Sequence, residues 1–327
     1  MAIKESFKVV VPGSTSNLGP GFDSIGLAIN RFLYLQVAHA KQEEVVIHGM
    51  EYKRLKQEEN LILQVMKYAY RQAGVKMPPL RLEISGEIPL RRGLGSSGAA
   101  IVAGLVAANH LLDEMWSKKE LLHMAVRLEG HLENVGASLL GGVVIGSWDG
   151  QEVHLVQAPV PSLDIVAAIP QQSLPTHQSR AVLPKKISHS DAVFSSSRAN
   201  LLIAALYSKR WDLLKVGMED RFHQPYRYSL VPGLEDILQQ AYQHGALGIA
   251  LSGAGPTIIA FTDYPDRLTS YMNDFFEQRR FPVEIVRLRP CIEGANVQLT
   301  ETENQCKVIG NAQGDGCDEH EGGLSRP

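Results

Sequence analysis

The sequence predicts a protein of mixed α and β structure with two domains. Its 327 residues are too many for one average domain and suit two. Extended apolar runs bounded by proline or glycine alternate with segments in which apolar residues recur at helical spacing. With 44% apolar and 20% charged residues, the composition is that of an ordinary globular protein.

In the N-terminal half, apolar runs predict strands and helical periodicity predicts helices. Pro12 and Gly13 end the first apolar run, and Gly74 ends the first helical segment. An alternating strand leads into a glycine- and serine-rich turn, and the alanine-rich segment beyond it predicts a helix with Ser96 or Ser97 at its start. In chain order, the predicted elements are strands 7–11 and 26–37, helix 61–73, strand 80–88, helices 99–112 and 118–128, and strand 141–147.

The C-terminal half begins with a buried strand and a loop bracketed by prolines. Alanine- and leucine-rich segments then predict helices, and two apolar runs joined by a glycine turn predict a pair of strands. In chain order, the predicted elements are strand 164–170, loop 171–184, helices 199–208, 211–218 and 233–244, and strands 246–251, 257–262 and 282–288, the last of which is predicted to be the final strand.

Charge and cysteine content exclude several classes of function. Lysine and arginine total 32 against 35 acidic residues, a net charge of −3, so no basic excess indicates binding to nucleic acid or to an acidic membrane surface. The three cysteines lie late in the chain and predict neither a disulfide framework nor a metal site; they fit a reducing cytoplasm. No signal-peptide core and no run of about 20 apolar residues is found, so we predict a cytoplasmic protein without a membrane segment.

Changes of composition divide the chain into three parts. Turn-forming residues near 150–161 predict a boundary between an N-terminal domain, residues 1–155, and a C-terminal domain, residues 156–300. Residues 301–327 are rich in Gly, Asp, Glu and Asn and have little to bury, so we predict a disordered tail.

The turn before the alanine-rich helix carries the strongest functional signal. Its glycines let backbone N–H groups approach an anion, and the first N–H groups of a helix lack internal partners at the positive end of its dipole. The turn therefore predicts a phosphate site, the alternative being an ordinary strand-to-helix connection. The residues of this phosphate loop are Pro89, Leu90, Arg91, Arg92, Gly93, Leu94, Gly95, Ser96, Ser97, Gly98 and Ala99.

Three motifs together resemble one superfamily. The loop sequence P-L-R-R-G-L-G-S-S-G-A is similar to the phosphate loop of the GHMP kinases. The segment N-L-G-P-G-F-D, residues 17–23, and the glycine turn L-S-G-A-G-P-T, residues 251–257, stand in the order of that superfamily, and the first of them resembles its homoserine kinase branch. The resemblance covers about residues 4–300 and implies an α+β fold, the GHMP kinase fold, with an N-terminal nucleotide domain and a ferredoxin-like C-terminal domain.

The resemblance also implies a function. It implies an ATP-dependent kinase that uses Mg²⁺ and converts L-homoserine to O-phospho-L-homoserine in threonine biosynthesis. Two alternatives stay open: another GHMP kinase that acts on mevalonate or a sugar, or a protein of this fold that binds a ligand without catalysis. Whether the chain forms a homodimer is left open as well.

For ATP and its metal ion, the resemblance implies several contacts. Gly253 and Gly255 lie in a turn that is expected to close over the phosphate loop, the alternative being a plain hairpin turn, and Asn60 matches a position near the adenine. Magnesium prefers hard oxygen ligands. The candidates are the Ser97 hydroxyl and Glu129, which matches the metal-binding glutamate of the superfamily and is otherwise a solvated carboxylate at a helix end.

A substrate carboxylate favours guanidinium partners, because the planar fork matches two oxygens. Arg180 lies in T-H-Q-S-R-A-V-L-P, which resembles the homoserine kinase motif T-x-x-x-R-x-x-L-P. Arg227 lies in P-Y-R, which resembles E-P-Y-R with Gln224 in place of glutamate. The alternative for each arginine is an ordinary surface position.

The substrate ammonium group and hydroxyl group have their own candidates. Asp23 is expected to pair with the ammonium group, the alternative being a helix cap or an Asx-turn. The segment H-L-E-N, residues 131–134, resembles the H-x-D-N element that holds the amino acid, with Glu133 where aspartate is usual and with His131 either at the site or structural. Asn17 and Asn134 are expected to orient the acceptor hydroxyl.

The proton of that hydroxyl has no assigned base in the sequence. No aspartate matches the one that mevalonate-type relatives place after the phosphate loop. Phosphoryl transfer through a loose transition state needs little base assistance. Thr176, which matches a family threonine near the acceptor, and Asn17 are therefore the candidates for catalytic positioning.

Overall fold

The computed structural model describes residues 6–49 and 60–299, which form eleven strands and ten α-helices. The tail predicted for residues 301–327 lies outside the described residues. The strands are β1 (Phe7–Asn17), β2 (Gly21–His39), β3 (Glu44–Ile47), β4 (Leu80–Gly86), β5 (Val143–Trp148), β6 (Val153–Ala158), β7 (Asp164–Pro170), β8 (Ala246–Leu251), β9 (Ile258–Thr262), β10 (Val283–Leu288) and β11 (Asn296–Leu299).

The helices cover the two sheets that these strands form. They are α1 (Leu61–Gln72), α2 (Ser96–Leu111), α3 (Lys118–Glu129), α4 (Glu133–Leu140), α5 (Thr176–Ala181), α6 (His189–Ser208), α7 (Leu214–Gly217), α8 (Gln224–Arg227), α9 (Leu234–Gln240) and α10 (Pro265–Gln278). Short 3₁₀ turns precede α7 and follow α8 and α9.

The larger sheet has seven strands and is organised around β2. This strand of 19 residues pairs with β1 along most of its length, with β5 near its start and with β4 near its end. β3 pairs with β4, β6 pairs with β5, and β11 pairs with β1. The predicted boundary at residue 155 falls within β6, and β11 returns to the first sheet from beyond the second. The strands therefore do not divide between the sheets at that residue, and the domain limits stay a prediction.

The second sheet has four antiparallel strands in the order β10-β7-β9-β8. Helices α5 to α9 lie between β7 and β8 in the chain, and α10 lies between β9 and β10. This β-α-β-β-α-β connectivity is the ferredoxin-like arrangement. The predicted α+β class with a ferredoxin-like C-terminal part is confirmed.

Helix α2 is buried in the hydrophobic core beside the larger sheet, and its N-terminus lies at the phosphate loop. Apolar residues surround it on all sides, which is typical of a buried helix. Small residues allow close packing: a side chain at Gly104 would lie 2.9 Å from the Ile62 carbonyl of α1, and one at Gly98 would lie 3.2 Å from Asn134 Cβ of α4. A second core fills the space between the second sheet and helices α9 and α10.

Three of the predicted secondary-structure assignments are wrong. The loop predicted at 171–184 contains α5, whose sequence T-H-Q-S-R-A has no apolar periodicity to reveal it. Helix α6 begins ten residues before the predicted 199, where the Ser188 side chain accepts a hydrogen bond from the Asp191 N–H group and caps it. Strand 282–288 is not the last, because β11 follows it.

Other elements were not predicted. Helix α4 contains a central glycine, Gly136, which hides it because glycine is a poor helix former. Helix α10 does carry a readable pattern, since its buried residues Leu268, Met272, Phe275 and Phe276 recur at helical spacing. No helix within residues 6–49 and 60–299 combines the length and the apolar character that crossing a bilayer requires.

Candidate active site

One cleft collects most of the predicted site residues. It lies where the phosphate loop, the β1–β2 turn, the start of α4, helix α5 and the β8–β9 turn meet, and it measures about 650 Å³ including space open to solvent. Predicted residues that line it are Asn17, Asp23, Arg91, Gly93, Gly95, Ser96, Ser97, Glu129, His131, Glu133, Asn134, Thr176, Arg180, Arg227, Gly253 and Gly255. Predicted residues outside its lining are Asn60, Pro89, Leu90, Arg92, Leu94, Gly98 and Ala99.

Asn60 has a structural task. Its Oδ1 accepts a hydrogen bond from the Leu63 N–H group at 3.2 Å, so it caps the N-terminus of α1, and its side chain is buried. The predicted place of Asn60 near an adenine ring stays a prediction.

The phosphate loop has the backbone of an anion cradle. Arg91, Gly93 and Gly95 all adopt positive φ, at 56°, 81° and 71°. Gly95 stands at the N-cap of α2 and provides no side-chain cap, so the first N–H groups of the helix are left for another acceptor. Because α2 is 16 residues long, its dipole adds a positive end at the same place.

The glycine turn between β8 and β9 lies directly against this loop. The Ser252 hydroxyl donates to the Gly93 carbonyl at 2.5 Å, and the Thr257 N–H group donates to the Arg92 carbonyl at 3.3 Å. A side chain at Gly93 would lie 2.4 Å from the Ser252 carbonyl. The two segments therefore fit only because glycine occupies that position.

Neighbouring protein atoms leave no space for a side chain at Gly95. A Cβ atom there would lie 2.1 Å from the Oγ of Ser14, which is fully buried, and φ is already positive. We expect Gly95→Val to lower the melting temperature strongly, because left-handed strain of about 1–3 kcal/mol adds to overpacking of about 1–3 kcal/mol. Thermal unfolding followed by circular dichroism measures this.

Gly74→Val is the matched control for that change. Gly74 also has positive φ, at 67°, but no atom lies within 4 Å of a Cβ built on it. This variant therefore isolates the backbone strain. Equal losses of melting temperature in the two variants would contradict the contact with Ser14.

The two candidate metal ligands lie side by side. The Ser97 hydroxyl donates to Glu129 Oε2 at 2.8 Å, and the Glu129 side chain is 10% exposed. Burial raises the pKa of Glu129, against the lowering effects of His131 and of Ser97. Glu129 is the last residue of α3, and Gly130 with a positive φ turns the chain away behind it. In the described ranges, no group of three or more His, Cys, Asp or Glu side chains is placed to hold a metal ion.

His131 lies between two carboxylates. Its Nδ1 is 3.0 Å from Glu133 Oε1, and its Nε2 is 3.8 Å from Glu129 Oε1. Burial by itself would lower the pKa of His131, but the hydrogen bond and charge of Glu133, together with the charge of Glu129, raise it on balance. The ring thus lies within reach of both carboxylates at this end of the cleft.

Glu133 has one satisfied and one unsatisfied oxygen. Oε1 accepts a hydrogen bond from the Asn134 side chain at 3.0 Å, whereas Oε2 is buried and has no hydrogen-bond partner among the described residues. The side chain is 3% exposed. An unsatisfied buried acceptor costs about 1–3 kcal/mol, so this oxygen is suited to a donor from a ligand.

Asn134 joins α4 to β1. Its Oδ1 accepts from Ser14 Oγ at 2.9 Å, and its Nδ2 donates to Ser16 Oγ at 3.1 Å as well as to Glu133. Sequence reasoning missed both serines, although the polar run S-T-S-N inside an apolar strand was a readable signal. Asn134 thereby fixes the position of Glu133, and its predicted role towards the acceptor hydroxyl stays a prediction.

Asn17 organises the β1–β2 turn. Its Oδ1 accepts from the Asp23 N–H group at 3.1 Å, and its Nδ2 donates to the Gly253 carbonyl at 3.1 Å. The side chain thus ties the first motif to the glycine turn, and its catalytic role stays a prediction. Thr176 is the first residue of α5 and lines the cleft, where its positioning role also stays a prediction.

Asp23 and Arg180 pair with each other across the cleft. Two nearly parallel hydrogen bonds join them, Nη1 to Oδ2 at 3.0 Å and Nη2 to Oδ1 at 2.7 Å. From the sequence, Asp23 was expected to bind the substrate ammonium group and Arg180 the substrate carboxylate, and their pairing with each other was not predicted. The Arg180 side chain is 38% exposed and lies over the ring of Phe22.

Arg227 is buried, not a surface arginine. It is 1% exposed; its Nε donates to the Ser179 carbonyl at 3.2 Å, and its Nη1 donates to the Gly253 carbonyl at 3.1 Å and to His223 Nδ1 at 2.8 Å. Burial lowers the pKa of Arg227 to about 10, which leaves it charged at neutral pH. Gln224, which stands where the motif has glutamate, also has a structural role. Its Oε1 accepts a hydrogen bond from the Leu251 N–H group at 2.7 Å.

Comparisons with known proteins identify the family. Residues 60–142 match the family "GHMP kinases N terminal domain", and residues 202–278 match "GHMP kinases C terminal". A homoserine kinase of Carboxydothermus hydrogenoformans is 39% identical over 289 residues, which is 88% of this chain and 95% of that protein. One of Deinococcus radiodurans is 45% identical over 259 residues, or 79% and 84% of the two chains.

Solved structures give the same result. A homoserine kinase from Cytophaga hutchinsonii superposes with a TM-score of 0.81 at 29% identity, covering 91% of this chain and 98% of that one. A putative homoserine kinase from Listeria monocytogenes gives 0.74 at 32% identity, with 89% and 98% covered. The cleft, the matching families and these relatives lead to one assignment: the chain belongs to the GHMP kinase superfamily and, within it, to the homoserine kinases.

Proposed function

We propose that this protein transfers the γ-phosphoryl group of ATP to the hydroxyl group of L-homoserine and forms O-phospho-L-homoserine. The observation that carries the proposal is the charge arrangement of the cleft. Arg180, Arg227 and Glu133 line the same cleft as the phosphate loop, and Glu133 Oε2 has no hydrogen-bond partner among the described residues. A zwitterionic amino acid with a hydroxyl group presents the complementary charges.

Within this proposal, Glu133 takes the substrate ammonium group. Both oxygens of Asp23 are engaged by Arg180, whereas Glu133 Oε2 is buried without a partner among the described residues. A charge-assisted bond from an ammonium group satisfies that oxygen. Asp23 then holds Arg180 in position, which is a different task from the ammonium contact expected from the sequence.

The substrate carboxylate lies with the two arginines. Arg227 is fixed by backbone carbonyls at the base of the cleft, and Arg180 is more exposed at its side. Asp23 pairs with Arg180 alone, and the hydrogen bonds of Arg227 go to backbone carbonyls and to His223, so the Arg227 guanidinium group has no carboxylate as a hydrogen-bond partner among the described residues. Mevalonate and galactose carry no ammonium group, so they would leave Glu133 buried and unpaired, which is costly.

The donor residues suit ATP and a magnesium ion. The glycine loop and the start of α2 supply N–H groups for phosphate oxygens. Ser97 and Glu129 fit Mg²⁺, because both present hard oxygens and lie in hydrogen-bond contact, and the ion commonly takes its other ligands from phosphates and water. When bound, the ion would neutralise charge on the phosphates.

The protein residues then have mainly positioning tasks. Asn17 and Thr176 line the cleft and are proposed to orient the acceptor hydroxyl, while Glu133 and the arginines hold the two charged groups of the amino acid. No strong base is required, because little proton transfer has occurred in a loose transition state. A cytoplasmic location stays a prediction, and whether the chain forms a homodimer stays open.

Release of ADP tests the function directly. The purified protein is incubated with ATP and Mg²⁺ and with L-homoserine, L-serine, mevalonate or galactose in separate reactions. We expect magnesium-dependent ADP release with L-homoserine at a kcat/KM well above that for the other three. Preference for mevalonate or galactose would favour another GHMP kinase activity, and no release with any acceptor would favour a non-catalytic binding protein.

Glu133→Gln tests the proposed ammonium site. The change keeps the shape and removes the charge, so the KM for L-homoserine should rise about tenfold or more, since hydrogen bonds to charged groups contribute about 1.5–3 kcal/mol. The KM for ATP should change little. Glu235→Gln, at an exposed glutamate of α9, is the control for the loss of one carboxylate. If Asp23→Asn raised the KM and Glu133→Gln did not, the ammonium group would belong to Asp23.

A further inference from the structure

Arg227 carries its charge at the base of the cleft with neutral acceptors around it. Its hydrogen bonds to the described residues go to two backbone carbonyls, of Ser179 and Gly253, and to the ring of His223. Its long, flexible side chain therefore depends on these few contacts for its direction. His223 is the only one of the three that offers a side-chain atom.

The contacts of His223 determine its tautomer. A guanidinium group can only donate, so His223 Nδ1 must be the acceptor of the 2.8 Å bond from Arg227. A backbone carbonyl can only accept, so Nε2 must carry the proton in the 2.8 Å bond to the Gly19 carbonyl. Both partners require the same neutral imidazole, protonated at Nε2 alone.

The surroundings of the ring favour this form. Burial lowers the pKa of His223, and the charge of Arg227 lowers it further, whereas the charge of Asp220 acts in the opposite direction. Asp220 is itself engaged by three backbone N–H groups, those of Phe222, His223 and Gln224, at 2.6–3.0 Å. The ring also lies 5.2 Å from that of Phe22, and the side chain is fully buried.

At its other end, His223 holds a strained turn. Asn17, Leu18 and Gly19 have φ values of 71°, 47° and 85°, three left-handed residues in succession. Such a backbone is costly for residues other than glycine and persists only where neighbouring groups hold it. This turn leads into Asp23, and both Asn17 and Asp23 line the cleft.

We propose that His223 is a positioning residue for the acceptor site. As a neutral imidazole it accepts from Arg227 and donates to Gly19, so it directs the guanidinium group into the cleft and keeps the turn of Asn17 against it. The inference rests on the proposed function in one respect, which is that the carboxylate of the acceptor is the ligand of Arg227.

His223 forms a hydrogen-bonded bridge between Arg227 and Gly19, and two substitutions separate its two hydrogen bonds. In His223→Asn, Oδ1 replaces Nδ1 as an acceptor for Arg227, whereas in His223→Gln, Nε2 replaces the donor to Gly19 and the acceptor is lost. We expect His223→Gln to raise the KM for L-homoserine about tenfold or more, with the KM for ATP nearly unchanged. The rise in His223→Asn should be clearly smaller. His154→Gln, at an exposed histidine of β6, is the control.

A cycle with Arg227→Lys shows whether His223 acts through the guanidinium group. If it does, the KM of the double variant His223→Gln/Arg227→Lys should be close to that of Arg227→Lys alone. If the two substitutions instead raised the KM by independent factors that multiply in the double variant, the proposal would be overturned. It would also be overturned if both substitutions of His223 raised the KM values for L-homoserine and ATP alike, in proportion to a loss of melting temperature.

The tautomer of His223 can be measured on the unchanged protein and without substrate. Nitrogen NMR of ¹⁵N-histidine-labelled protein should show one buried ring that stays neutral and carries its proton on Nε2 over the pH range in which the protein is folded. A ring protonated at Nδ1 would overturn the proposal. If the protein failed to phosphorylate L-homoserine, the proposed function would be wrong, and this measurement would still test the bridge itself.

Discussion

Arg180→Ala is expected to raise the KM for L-homoserine by about 30-fold or more while ATP binding stays nearly normal. Loss of one partner of a hydrogen-bonded charge pair costs about 2–5 kcal/mol, and the lower figure suits a side chain that is 38% exposed. Two kcal/mol corresponds to about 30-fold in affinity. The same change leaves both oxygens of Asp23 without Arg180, so a negative charge then faces the substrate carboxylate. Steady-state kinetics with each substrate varied in turn measures the effect.

Variants of Asp23 and Arg180 separate these two contributions. Arg180→Lys should restore binding only in part, because an ammonium group does not provide the bidentate fork. Asp23→Asn combined with Arg180→Ala should recover part of the loss by removing the repulsion. Arg210→Ala, at an arginine that is 59% exposed and pairs with Asp212, is the control. An unchanged KM for L-homoserine in Arg180→Ala would remove Arg180 from the acceptor site.

Glu129→Gln is expected to raise the magnesium concentration needed for half-maximal activity and to slow turnover. The amide keeps the shape and can still accept the Ser97 hydrogen bond, but it is a neutral ligand. Loss of groups that merely support a metal ligand costs about 10–100-fold in affinity, so the loss of a ligand charge should cost at least about tenfold. Activity titrated with Mg²⁺ at fixed ATP measures this.

Two further variants define the metal site. Ser97→Ala removes the hydroxyl group and leaves the carboxylate, so a smaller shift in magnesium dependence is expected. Glu277→Gln changes an exposed glutamate of α10 and should have no effect on it. A magnesium dependence of Glu129→Gln equal to that of the unchanged protein would make Glu129 a structural partner of Ser97.

Local signals predicted much of the fold and part of the site. The phosphate loop and α2 are contiguous, so glycines, serines and an alanine-rich run were enough to predict them. The contact between Asp23 and Arg180 joins residues 157 positions apart, and no spacing rule reveals such a pair. His223 carries no sign in the sequence that its ring lies between Gly19 and Arg227, because that position follows from how the β1–β2 turn packs against α8.

The short strand β11 has a consequence for aggregation and for folding on the ribosome. It covers the outer edge of β1, pairing Phe7 with Leu299 and Val10 with Asn296. Without it, the apolar edge of β1 would offer unpaired N–H and C=O groups to another chain, whereas a four-residue strand is a poor template for such pairing. Strand β1 thus gains this cover only after residue 299 has been synthesised, so a nascent chain presents an open β1 edge until that point.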